Sequence, residues 1–341
     1  MRSPDDVRLV INGREYAGWT GVSIDMAVDT ISDAFSVSVP FDPSLPAFRD
    51  LRPRQYPRVE VYIGDDIILT GTLEHIAAPL TEDGRMLTLQ GRSLTGPLND
   101  CSIDGPLEYN GLALSTIASQ VCKPFGIKVR ADNDTNPIDL ARADYGDTPA
   151  RFLNSLAAPR LLLLNSSYDG KLVISWGRAL KDRPVVADFT EGEYPLLSAS
   201  ATFDDAKVYS VYKAATQFAG EPGVVGTSRD ASIKAYRPLL VSVGEVDEKP
   251  DTTAARLRAE SEASAFSASA SVAGWRRPDG KLWAERQAVT LLAPSSLLRT
   301  RAKYIVAGCT FTLSPEGKQT TFRLVLPETY SGEIPRSTPW E

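Results

Sequence analysis

At 341 residues, with 43% hydrophobic and 23% charged side chains, the chain has the composition of a soluble globular protein with room for two or three domains. Its 37 basic against 43 acidic side chains leave a net charge of −6, the wrong sign for non-specific binding to nucleic acid or to an anionic membrane surface. Cys101, Cys122 and Cys309 are too few and too scattered for a disulfide framework or a zinc ribbon. No secretory apolar core opens the chain, and the Leu161 to Leu164 run is far short of the ~20 residues of a membrane span, so synthesis in a reducing cytosol is expected.

Residues 7–11 are a short apolar run closed by Asn12-Gly13, a pair that tolerates positive φ and so predicts a hairpin. Val22, Ile24, Met26 and Val28 alternate strictly, as do Phe35, Val37, Val39 and Phe41, which places one row of side chains on one face of a sheet. With strands predicted at 59–63, 67–73 and 86–91, at least six antiparallel candidates precede residue 95, which suggests a closed or nearly closed β-barrel. Pro40, Pro43, Pro46, Pro53 and Pro57 break the long connection into an exposed excursion.

The period then changes. Leu114, Ile117, Ala118 and Val121 recur at three and four residues until Pro124, predicting a helix over 112–122. Thr148-Pro149 reads as the N-cap and first residue of a second helix carrying Phe152, Leu153, Leu156 and Ala157. Leu161 to Leu164, Asp169-Gly170 and Leu172, Ile174 and Trp176 read as a buried hairpin. Alternation resumes near 196–203 and 207–215. Polar, Gly- and Pro-rich sequence then interrupts it over 217–252, expected to be a mobile loop or a partner-binding excursion. A helix follows over about 253–268, with Asp251 or Thr252 able to cap it, and Ser331 to Glu341 reads as an extended arm.

One pattern is written twice. Val59, Val61 and Ile63 lead through Ile68-Leu69-Thr70-Gly71 and Gly84-Arg85 to Leu87 and Leu89. Val289 and Leu291 lead through Ile305-Val306-Ala307-Gly308 and Gly317-Lys318 to Phe322, Leu324 and Leu326. The expected fold is therefore mainly β with an α+β insertion: two related antiparallel tube-like β-barrels and a small α+β unit. The expected domains are a first barrel over 1–99, the α+β domain over 100–183, a second barrel over 184–216 and 269–330, an excursion of loop and helix over 217–268, and a tail over 331–341.

Residues that could carry chemistry are sparse. His75 is the single histidine, so any Ser-His-Asp, Cys-His or multi-histidine metal site must use it, and it falls in a predicted strand with a structural or surface role expected. Asp132, Asn133, Asp134 and Asn136 lack the glycine and the bidentate glutamate of a calcium loop and read as an Asx-capped turn. Asp204-Asp205, and Glu191 with Glu193, read as solvated charge rather than a facing carboxylate pair. Gly220, Gly223 and Gly226 match neither a P-loop nor a dinucleotide turn. No catalytic, cofactor-binding or metal residue and no cofactor is assigned.

Gly274 and Gly280 bracket a hairpin around Pro278-Asp279, and Trp275 and Trp283 can face each other across it as the seal of a barrel corner. The preceding Ala/Glu/Arg helix, Val272-Ala273-Gly274-Trp275, Gly280-Lys281-Leu282-Trp283, Tyr304-Ile305-Val306 and Leu324-Val325-Leu326-Pro327-Glu328-Thr329-Tyr330 resemble the C-terminal half of the Mu-type phage baseplate hub proteins, the tail P-protein family of contractile-tailed phages. The Asn12-Gly13 opening, the Phe35 to Val39 strand, Gly71 and the unit ending Asp169-Gly170-Lys171-Leu172 extend the resemblance over about residues 5 to 330.

That resemblance implies a non-enzymatic structural hub in the virion tail baseplate, assembled in the host cytoplasm. Two barrels per chain in a homotrimer would make a pseudo-six-fold ring, a symmetry adaptor between the tail tube or tube-initiator proteins and the trimeric tail spike. Baseplate wedge proteins would be further partners, DNA would pass as transient cargo during ejection, and no membrane insertion is implied. The acidic balance suits a lumen that repels DNA. From other classes, a β-rich carbohydrate-binding module would use Trp275 and Trp283 as exposed platforms, and a tail-associated hydrolase would need convergent carboxylates or a site centred on His75.

Overall fold

A computed structural model describes residues 4–42, 51–81, 84–216, 223, 225–243, 249–336 and 338–341. The chain divides into two compact units, each assembled from separated segments: Met1–Trp176, Val272–Glu285 and Ala307–Phe322, then Gly177–Ser271, Arg286–Val306 and Arg323–Glu341.

In the first unit, β1 (Val7–Ile11) and β2 (Arg14–Tyr16) form the expected hairpin, with Asn12 at φ 50° and Gly13 at φ 80°. β3 (Gly21–Ala27) and β4 (Ala34–Pro40) pair antiparallel. β5 (Arg58–Ile63), β6 (Asp66–Ala77), the two-residue β7 (Leu80–Thr81) and β8 (Gly84–Ser93) complete the barrel-like part. The strand order is β2-β1-β5-β6-β8-β4-β3, continued by residues 308–313, where Phe311 pairs with Ile24. Alternation sends Ile24, Phe35, Val37, Val59, Val61, Ile63 and Leu89 to one buried face. Of the proline-broken excursion, residues 43–50 lie outside the described residues.

The α+β part has α1 (Pro97–Asp100), β9 (Glu108–Leu112), α2 (Leu114–Cys122), β10 (Val129–Ala131), β11 (Ile138–Arg142), α3 (Pro149–Ala157), β12 (Leu162–Ser166) and β13 (Leu172–Trp176). The Thr148 hydroxyl caps α3, accepting from the Arg151 amide at 3.2 Å. Leu114, Ile117 and Val121 of α2 and Phe152 and Leu153 of α3 share one core with Leu162, Leu164, Leu172 and Ile174 of the β12–β13 hairpin. The stripes read from the sequence are thus the buried faces.

The second unit contains β14 (Val185–Thr190), β15 (Leu196–Phe203), β16 (Val211–Thr216), β17 (Val225–Arg229), β18 (Pro238–Val243) and α4 (Pro250–Ser264). β19 (Phe266–Ala273), β20 (Ala288–Ala293), β21 (Leu298–Ser314) and β22 (Gly317–Val325) follow, and β19, β21 and β22 each contribute residues to both units. β20 pairs antiparallel with β21 and parallel with β14, and the order β15-β19-β22-β21 continues from there. The written-twice pattern becomes two antiparallel meanders, β5-β6-β8 and β20-β21-β22.

The strand order is open. Among the described residues β2 and β15 each have a ladder neighbour on one side only, so the fold is mainly β with an α+β part but neither sheet region closes into a barrel within one chain. The 217–252 stretch, expected to be a mobile loop or a partner-binding excursion, contributes β17 and β18, which flank β16 in a three-stranded sheet; residues 217–222, 224 and 244–248 lie outside the described residues. α4 packs on β16 and β17 through Ala254, Ala259 and Ala263, all buried, and Gly226 lets them approach: a Cβ there would meet the Pro250 carbonyl carbon at 2.1 Å. The cap of α4 also differs from expectation. Lys249 is the N-cap, Pro250 opens the helix, and the Asp251 carboxylate instead accepts from the Thr227 amide at 3.1 Å.

Candidate functional site

The residues weighed for chemistry lie apart, and most of them have structural work. His75 is exposed on β6, opposite Gln90 of β8. In the Asx-rich loop, Asp132 pairs with Arg130 at 3.0 Å and Asn133 accepts from the Trp176 amide at 3.1 Å. Asp134 accepts from the amide and the hydroxyl of Ser115, and the Thr135 hydroxyl accepts from the Leu114 amide at 3.0 Å. These are the first two amides of α2, whose own N-cap, Ala113, has no side-chain acceptor. Among the described residues, no three His, Cys, Asp or Glu side chains gather in a way that could hold a metal ion.

The paired carboxylates behave likewise. Asp204 accepts from the Ala206 amide at 3.2 Å and pairs with Lys207, while Glu191 accepts from the Ser295 amide at 2.9 Å, and the Ser295 hydroxyl first, then that amide, hold its carboxyl below the usual range. Glu193 and Asp205 are exposed. Gly220 lies outside the described residues, and Gly226 serves the packing of α4.

The tryptophan hairpin is internal. Trp275 is 0% and Trp283 2% exposed; the Trp275 indole N–H donates to the Thr312 and Gln319 carbonyls at 3.0 Å each, and the rings meet Phe311 and Phe322 edge-on rather than each other. Neither is the open platform a carbohydrate-binding module requires. Between them, Arg276 binds Asp5 at 2.9 Å, Asp66 at 3.1 Å and the Pro4 carbonyl at 2.7 Å, fastening the N-terminal segment to the hairpin.

Two features had no signal in the spacing of the sequence. Asp33 is buried at the β3–β4 connection, where its carboxylate accepts from the Ala27 amide at 3.3 Å and its amide donates to the Ser93 hydroxyl at 3.1 Å. Burial first, then the nearby Glu285 carboxylate, raise its pKa well above its ordinary value; the Ala27 amide opposes them and Asp25 adds to them. In the second unit, a pocket of about 510 Å³ is walled by Phe203, Phe266 and Trp340 and edged by Asp205, Asp230 and Glu262. The described residues of the tail from Ser331 form no regular strand and lie along this unit: the Pro339 carbonyl accepts from the Arg299 and Thr300 amides at 2.8 and 3.1 Å, and the Trp340 ring stands edge-on to Phe203. No helix among the described residues is long and apolar enough to cross a membrane.

With this geometry in place, comparison with known proteins is informative. Residues 6–93 match the family described as Mu phage baseplate assembly protein GpP-like, N-terminal, and residues 95–176 match baseplate hub protein gp44-like, second domain. The chain is 25% identical over 334 residues to baseplate hub protein gp44 of Escherichia phage Mu, covering 91% of this chain and 84% of that protein. The 43 kDa tail protein of prophage MuSo2 from Shewanella oneidensis is 27% identical and superposes with a TM-score of 0.82, covering 97% of this chain and all of the other. A tail protein from Neisseria meningitidis, 21% identical, shares the fold at a TM-score of 0.82 over 96% of this chain and 98% of its own.

Proposed function

The chain belongs to the Mu-type phage baseplate hub proteins, components of the contractile tail and hence of the virion, and from that premise we propose that three copies close into a ring of near six-fold symmetry. The observation that carries this is the repeated meander, β5-β6-β8 and β20-β21-β22, which supplies two similar building blocks per chain. Two blocks in three chains make six. The open strand order supports closure between copies rather than within one, since among the described residues β15, at one end of it, has a ladder partner on one side only.

In this reading the ring joins a six-fold tail tube or its initiator to a three-fold spike, with wedge proteins outside and DNA passing through the centre. The barrel-like domains, 1–99 and 184–216 with 269–330, form the ring, and the 100–183 domain and the 217–268 excursion meet the partners. The protein acts without turnover, by geometry and affinity alone.

Sedimentation of the purified chain over a wide concentration range tests the ring. The expected species has three times the 37.0 kDa chain mass. A stable dimer overturns the proposal, and a strict monomer overturns self-sufficient closure and assigns it to the spike or tube.

A further inference from the structure

The aromatic pocket of the second unit has an unbalanced charge. Arg258 serves two of its carboxylates at once, donating from Nε to Glu262 at 2.6 Å and pairing through Nη2 with Asp230 at 3.6 Å, while Nη1 donates to the Arg229 carbonyl at 2.6 Å. Asp230 is 7% exposed and also accepts from the amide and hydroxyl of Ser232 at 2.8 and 2.6 Å. The third carboxylate, Asp205, is exposed at the edge, and among the described residues it makes no side-chain ion pair and no lysine or arginine lines the cavity. Three carboxylates thus share one guanidinium beside three aromatic rings.

From this geometry we infer that the pocket is a docking site for an arginine side chain flanked by an apolar residue, presented by a neighbouring protein of the tail. Charge complementarity argues for the cation. The walls argue for arginine over lysine, because a planar guanidinium stacks on the partly exposed Trp340 ring while forking onto a carboxylate. A volume of about 510 Å³ has room for that side chain and the apolar neighbour beside it. The floor is prepared for a second cation: burial holds the Glu262 carboxyl above the usual range, Arg258 pulls it down, and Asp230 pushes it up again. The rim is fixed by the two hydrogen bonds to the Pro339 carbonyl, which place Trp340 in the wall.

The assignment of the occupant to a tail protein rests on the hub reading; the pocket's preference for a cation does not. The test is a calorimetric titration of the full chain, with Trp340 fluorescence in parallel, using the acetylated, amidated tripeptides Leu-Arg-Leu and Leu-Gln-Leu. The arginine peptide is expected to bind about tenfold more tightly, the worth of one charge-assisted hydrogen bond. Asp205→Asn, at an exposed position, is expected to reduce that preference, and Glu262→Gln to abolish it. Equal binding of the two peptides, no binding of either, or a preference that survives both substitutions overturns the site. Displacement of the peptide by spermidine at lower concentration overturns the protein occupant in favour of a free polyamine. A trimeric mass without peptide binding removes only the pocket, and peptide binding to a stable dimer removes only the ring.

Discussion

Asp33 is a charge placed where charge is unfavourable, and its pH behaviour follows from its surroundings. Burial and the carboxylates of Glu285 and Asp25 raise its pKa on folding, against the single Ala27 amide. A carboxyl raised in this way adds stability that is full below the ordinary carboxylate pKa of about 3.9 and is lost as pH climbs through the raised value. Asp33→Asn keeps an oxygen for Ala27 and removes the ionisation. The variant is expected to melt above the parent at pH 8 and to lose that advantage at pH 4 in scanning calorimetry; parallel pH profiles would refute the assignment. Trp275 is the opposite kind of residue, a large ring whose one polar atom has two carbonyl partners, so it is buried without an electrostatic penalty.

Among the elements, α2 is capped from a distance. Its N-cap is an alanine, and the acceptors come from Asp134 and Thr135, about twenty residues further along the chain. Asp134→Ala is therefore expected to cost about 0.5–2 kcal/mol in urea unfolding, Asp132→Ala far less, and added calcium to leave the melting temperature unchanged; a calcium-dependent rise would restore the metal-loop reading. The cap was invisible in the sequence because capping motifs are read locally and this one is not. The apolar stripes of α2 and α3 and the Asn12-Gly13 and Asp169-Gly170 turns were legible because large side chains and left-handed backbone leave a local trace. β17, β18 and the packing of α4 left little, since the contacting residues are alanines and Gly226, whose contribution is closeness rather than hydrophobic bulk. The pocket was hidden for a related reason: its walls are gathered from residues 203 to 340.

For the molecule as a whole, the path of the chain matters more than any one contact. β21 is a single strand whose residues 302–305 pair with β20 and whose residues 308–313 pair with β3, so one backbone serves both units. Heating is expected to give one calorimetric transition with equal van't Hoff and calorimetric enthalpies; two resolved transitions would show that the shared strands do not couple the units. The same path sets a condition on biosynthesis. On the ribosome, the N-terminal strands emerge long before residues 308–313, which alone cover the outer edge of β3. A chain cut short before that point carries a bare, sticky sheet edge and has no finished surface to offer its neighbours. Topology would thus act as a proofreader: fragments missing their last strands are expected to aggregate or be degraded rather than join a growing particle.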